Sequence, residues 1–197
     1  MQNIILIHGG QSFLDNETYL NYLQNLKIKS LDDFKRVDWK DNLSDDLGDR
    51  YNVISPSMPC KMNSKYNEWN IYFEKILTMI NGDLILIGHS LGALFLLKYI
   101  SENGCPMLCK SIVLVACPFN SEINEYKLNG FDIKDFIKLN QVANQIHFVF
   151  SYDDQVVTIE NMYKFKNKIP TANYTLIEGA GHFNGERYEE IVQIVVE

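Results

Sequence analysis

Six short apolar runs, at 4–7, 51–54, 84–87, 112–116, 146–150 and 174–177, recur along the chain. They are rich in Ile, Val and Leu and barely alternate in polarity. That is the pattern of strands covered on both faces of a sheet. Helical patterns lie between them. Residues 66–80 carry Trp69, Phe73, Ile76, Leu77 and Ile80 at helical spacing, and Asn81-Gly82 follows as a stop. Residues 93–100 are apolar almost all round, with Lys98 the exception, as in a buried helix. Residues 159–168 and 186–196 give two more helices. The alternation predicts an α/β fold: a mostly parallel sheet of about six strands between helical layers.

At 197 residues the chain is expected to form one domain, 1–197. Two stretches interrupt the rhythm. In 14–50, Tyr19, Leu20, Leu23 and Leu26 suggest one helix, and Trp39, Leu43 and Leu47 before Gly48 suggest another. The aspartates around them read as a solvated face, since Asp41 to Asp49 lacks the register of a calcium loop. Residues 118–144 are too apolar for a plain loop and predict a small lid or a linking helix.

The balance of 18 Lys+Arg against 25 Asp+Glu, net −7, opposes binding to nucleic acid or an anionic membrane. No run is long enough to span a bilayer, and the start of the chain lacks the basic and apolar regions of an export signal. Cys60, Cys105, Cys109 and Cys117 form no metal-site pairs, so free thiols in a cytoplasmic setting are expected.

The sharpest local feature is Gly88-His89-Ser90-Leu91-Gly92, directly after one strand and directly before the buried helix. Strand, tight turn and helix are the context that gives a Gly-x-Ser-x-Gly match meaning. The backbone doubles back there, so the residues two before and two after the serine must be small. The turn lifts Ser90 Oγ above the strand ends. It also leaves the Leu91 N–H at a helix start, where no intrahelical acceptor exists.

Serine needs a base. His147 lies in a strand, His89 is locked in the turn, and His8 sits beside Gly9-Gly10 after the first strand. His182, in Gly179-Ala180-Gly181-His182-Phe183-Asn184 after the last strand, alone fits the chain order nucleophile, acid, histidine. The acid should follow the strand before last, where Asp153 and Asp154 compete. Asp154 is preferred, because Gln-Val-Val-Thr after it looks like the Asp-x-x-Val-Pro stretch that follows such acids. Its role would be to orient the imidazole and stabilise its cation. The N–H groups of Gly10 and Leu91 would form an oxyanion hole.

Together these pieces resemble the α/β-hydrolase superfamily, and more narrowly the small serine hydrolases related to retinoblastoma-binding protein nine. The shared features are His8-Gly9-Gly10, Ser55-Pro56-Ser57-Met58-Pro59, Trp69, the Ser90 turn, Asp153-Asp154 and Gly181-His182-Phe183-Asn184. The resemblance implies a three-layer fold without a large cap domain and a triad of Ser90, Asp154 and His182. The 14–50 stretch is longer than the resemblance leads one to expect. No cysteine stands in a Leu-x-Cys-x-Glu motif, so a retinoblastoma-type partner is not expected.

The chemistry expected is hydrolysis of a small ester, thioester or activated amide through an acyl-enzyme, with no metal and no cofactor. The alternatives are a peptidase or acyl transferase on the same triad, and an interaction protein that kept the fold but not the chemistry. Pocket walls are expected from residues 12–14, Met58–Pro59 and 118–144, suiting a hydrophobic acyl group. Acidic surroundings reaching the mouth would disfavour anionic substrates.

Overall fold

The computed structural model describes residues 1–35, 37–106, 109–119, 122–123, 126–127 and 130–197. Six strands form the main sheet: β1 (Gln2–Ile7), β2 (Tyr51–Ile54), β3 (Leu84–His89), β4 (Cys109–Val115), β7 (Ile146–Ser151) and β8 (Asn173–Ile177). Between β4 and β7 lies a two-stranded antiparallel pair, β5 (Glu122–Ile123) and β6 (Tyr126–Lys127). The main sheet runs β2-β1-β3-β4-β7-β8, and all five pairings are parallel. All six strands therefore deliver their C-terminal ends to one edge.

Among the described residues seven α-helices accompany the sheet: α1 (Asn16–Asn25), α2 (Trp39–Leu47), α3 (Tyr66–Leu77), α4 (Leu91–Asn103), α5 (Ile137–Gln141), α6 (Glu160–Lys168) and α7 (Glu189–Val196). Contacts pair α2 with α7, and α4 with both α3 and α5. The outcome is the three-layer α/β arrangement with a mostly parallel sheet that the hydropathy pattern predicts, without a large cap domain among the described residues.

Burial explains the arrangement. Every residue of β3 is buried, as are residues 91–100 of α4. The core joins Ile4–Ile7 of β1 to Phe73 and Phe95, whose rings meet edge to face at 5.3 Å. Lys98, the polar exception in α4, is satisfied: its Nζ lies 2.8 Å from Glu102 Oε1 and donates to Asp132 O at 3.0 Å.

The two irregular stretches differ in character. In 14–50, α1 buries none of its residues, whereas α2 buries Trp39, Leu43 and Leu47. Asp38 caps α2, and its own backbone N–H donates in turn to Asp41 Oδ2. Within 118–144 the structure shows β5, β6 and the short α5. The expectation of a lid falls partly on residues 120–121, 124–125 and 128–129, outside the described residues.

Candidate active site

Topology brings the first components together. The chain leaves β1 toward β2 on one side and leaves β3 toward β4 on the other, so the β1–β3 boundary is a switch point where ligand crevices form. Ile7 pairs with Gly88 there, which sets His8-Gly9-Gly10 beside the Ser90 turn. At the far side β7 and β8 are neighbours, with Ser151 opposite Ile177. The loops bearing Asp154 and His182 therefore leave the same edge side by side.

Ser90 adopts φ 54° and ψ −120°, a left-handed backbone that costs an L-residue about 1–3 kcal/mol and persists only where its surroundings enforce it. Those surroundings are tight. The Ser90 N–H donates to Val115 O at 2.9 Å, and Ser90 O accepts from Ala93 N at 3.0 Å. A Cβ on Gly88 would lie 2.6 Å from Ala93 Cα, and one on Gly92 would lie 2.3 Å from Ile7 O. The turn closes only with glycine at both positions.

His182 Nε2 stands 3.1 Å from Ser90 Oγ, and its Nδ1 stands 2.8 Å from Asp154 Oδ2. Asp154 is 4% exposed. Its Oδ1 accepts from the N–H groups of Val156 (2.8 Å) and Val157 (2.9 Å), which leaves Oδ2 for the imidazole. Asp153 faces elsewhere: its Oδ1 accepts from Ser151 Oγ at 2.6 Å and from Gly181 N at 3.1 Å. Those bonds, the serine hydroxyl first, hold its carboxyl below the ordinary range. Of the two aspartates, Asp154 is the one that meets the imidazole.

The other histidines have different partners. His147 Nε2 lies 2.8 Å from Thr175 Oγ1. His8 Nε2 accepts from the Met58 N–H at 2.9 Å, so its proton resides on Nδ1, 2.6 Å from Gly9 O. It ties the Met58 loop to the glycine pair, and burial lowers its pKa below 6.5. His89 is buried, with Nε2 3.0 Å from His182 O and its pKa held well below 6.5 by desolvation. A cavity of about 400 Å³ opens over Ser90 and His182, lined by Gly9, Gly10, Gln11 and Leu91 among others.

The cavity walls correct two expectations. Ser12, Phe13 and Met58 are buried and are not among the lining residues; Gln11, Lys61, Met62 and Val156 are, together with Pro118 from the expected 118–144 stretch. Phe13 packs instead against the rings of Tyr19 and Tyr22. The charged lining side chain among the described residues is Lys61, so the chain's acidic excess does not extend to the cavity wall. Gln11 and Lys61 follow Gly10 and Cys60 in otherwise unmarked loops, and only the tertiary meeting of those loops exposes their role. Among the described residues no group of three His, Cys, Asp or Glu side chains could hold a metal ion, and no helix is long and apolar enough to cross a membrane.

Solved structures share this fold. The ydeN gene product from B. subtilis matches with a TM-score of 0.71 at 18% identity, over 100% of this chain and 97% of its own. A serine hydrolase involved in carbazole degradation, CarC, matches with a TM-score of 0.66 at 17% identity, over 100% and 90%. The meta-cleavage product hydrolase CumD from Pseudomonas fluorescens matches with a TM-score of 0.66 at 14% identity, over 100% and 89%. No curated protein sequence matches. The sequence profile of the serine hydrolases matches residues 27–193, and the chain belongs to that family.

Proposed function

We propose that the protein hydrolyses small carboxylic esters, or thioesters and activated amides, through a covalent acyl-enzyme on Ser90. The carrying observation is the continuous relay Ser90 Oγ, His182 and Asp154, with contacts of 3.1 and 2.8 Å. Those distances are within hydrogen-bond reach for nucleophile, base and orienting acid.

In this reading Ser90 Oγ attacks the carbonyl carbon while His182 Nε2 accepts the hydroxyl proton. Charge collects on the carbonyl oxygen, where the N–H groups of Gly10 and Leu91 would receive it. No backbone carbonyl accepts from either N–H among the described residues, and losing one such donor typically costs about 2.7–4 kcal/mol in the transition state. Collapse breaks the bond to the leaving group, which departs with the proton from His182. Water then gives its proton to His182, attacks the acyl carbon and releases the acid with Ser90 restored. Asp154 holds the Nδ1–H tautomer and stabilises the imidazolium without itself being protonated.

A fluorophosphonate probe and a p-nitrophenyl butyrate assay test the reading together. Labelling at Ser90, with turnover lost in a folded Ser90→Ala variant, is the expected result. Turnover that survives in Ser90→Ala overturns it.

A further inference from the structure

His182 lies in a stretch of unusual backbone. Gly179 and Gly181 adopt φ of 74° and 52°, and Phe183, which has a side chain to clash, adopts 53°. A non-glycine residue persists there only when its surroundings over-determine the conformation. The Phe183 ring is fully buried and meets Tyr188 edge to face, and its N–H donates to Ala180 O at 3.0 Å. The carbonyls on either side of its backbone are held by two side chains from distant parts of the chain. His89 Nε2 lies 3.0 Å from His182 O. Trp39 Nε1–H donates to Phe183 O at 3.1 Å.

Trp39 opens α2, in the stretch whose length the sequence leaves unexplained. It is 1% exposed, and its ring contacts His89 edge to face at 6.1 Å. Its backbone N–H donates to Gly185 O at 2.9 Å. One turn on, Asn42 Nδ2 donates to Glu186 O at 2.9 Å, and Asp46 pairs with Arg187. The first two turns of α2 thus face the run that follows His182. The partner of His89 Nε2 is a carbonyl, an acceptor only, so that nitrogen carries the proton. Burial resists a second proton, which keeps His89 a neutral donor.

We infer that Trp39 is a positioning residue: with His89 it clamps the successive carbonyls of His182 and Phe183 and thereby fixes where the His182 imidazole stands over Ser90. Trp39 touches no substrate and acts through the backbone. Part of the 14–50 stretch therefore aims the general base rather than lining the substrate cavity. The inference rests on the proposed role of His182, and its test keeps the two apart.

Trp39→Phe retains an aromatic ring and removes the N–H donor. A displaced imidazole slows chemistry more than binding, and misplacement of about 1 Å can cost roughly 100-fold. The expected result is a loss of about 10- to 100-fold in kcat for p-nitrophenyl butyrate and in the rate of fluorophosphonate labelling, with KM little changed. Leu43→Ala, one turn further along α2, is the control. It empties a buried position without touching the clamp, so it lowers Tm while kcat stays near wild type. Trp39→Phe with wild-type kcat overturns the clamp, as do two variants whose kcat falls in proportion to lost stability. A wild-type protein that neither labels nor turns over ester overturns the function itself, and the clamp with it.

Discussion

Gly92 lies against Ile7 so closely that a Cβ would stand 2.3 Å from the Ile7 carbonyl oxygen and 2.6 Å from that of His8. Both neighbours are backbone, so no rotamer change relieves the clash, and α4 would have to lift from β1. Gly92→Ala is expected to destabilise the protein by about 1–3 kcal/mol or more, as overpacking does. Gly48 differs in kind: nothing lies within 4 Å of where its Cβ would stand, so Gly48→Ala meets no clash and carries only the cost of a backbone at φ 70° and ψ −173°, a region left almost entirely to glycine, about 1–3 kcal/mol. Urea unfolding of Gly92→Ala checks the clash, and a wild-type midpoint for that variant contradicts it.

Asp154 and Asp153 are adjacent in sequence but differ in partners, so their amide variants separate them. Asp154→Asn keeps an oxygen for the Val156 and Val157 N–H groups but turns an NH2 toward His182 Nδ1, favouring the wrong tautomer. A loss of roughly 10⁴-fold in kcat is expected with little change in stability. In Asp153→Asn, an oxygen still accepts from Ser151 Oγ and Gly181 N, and kcat is expected to fall by less than about tenfold. Steady-state kinetics on both variants reads the difference. Equal losses count against Asp154 as the orienting acid.

Much of this site is legible in the amino-acid sequence, because the signals are local. Four or five residues, all apolar or apolar but for one, mark each strand, and the glycines of 88–92 meet a steric demand within a single turn. The strand ends at 7, 87, 150 and 177 then suffice to collect Gly10, Ser90, Asp154 and His182 once the sheet is parallel. What is not legible depends on loops meeting. Gln11 and Lys61 line the cavity because Gln11 N donates to Lys61 O at 2.8 Å, a contact across fifty positions with no periodic signature. Trp39 reads from sequence as a core residue on a helical face, which it is. Its Nε1–H bond to Phe183 O spans 144 positions and leaves no local trace. Helix ends shift for local reasons too: α4 begins at Leu91 because Ser90 O already accepts from Ala93 and Leu94.

Two histidines, His89 buried and His8 partly buried, predict how stability varies with pH. His8 and His89 have pKa values lowered from 6.5, both by desolvation first, so the fold favours their neutral forms. Below pH 6.5 the unfolded chain binds protons that the native state refuses, and stability there rises with pH. Their contribution is complete above about pH 6.5 and is lost as pH falls toward the folded pKa values. Tm is therefore expected to be lower at pH 5.5 than at pH 7.5. His89→Gln, which cannot titrate, should flatten that slope in thermal unfolding across pH 5–8. A variant with the wild-type slope removes His89 from the explanation.

The cavity predicts substrate preference. Its volume of about 400 Å³ lies near the lower end of the ~300–1,000 Å³ typical of small-molecule sites. Short acyl groups such as butyryl and hexanoyl should therefore have higher kcat/KM than dodecanoyl in a p-nitrophenyl ester panel. Lys61 adds a finer test, being the charged lining side chain among the described residues. Two unit charges about 4 Å apart in water attract by roughly 1 kcal/mol, so a carboxylate on the acyl group should gain about fivefold from the lysine. Lys61→Met is expected to lower kcat/KM for a hemisuccinate ester about fivefold relative to the matching butyrate ester, and added salt should erase the difference. If both esters respond alike to the substitution at low salt, the Lys61 ammonium does not select the acyl group.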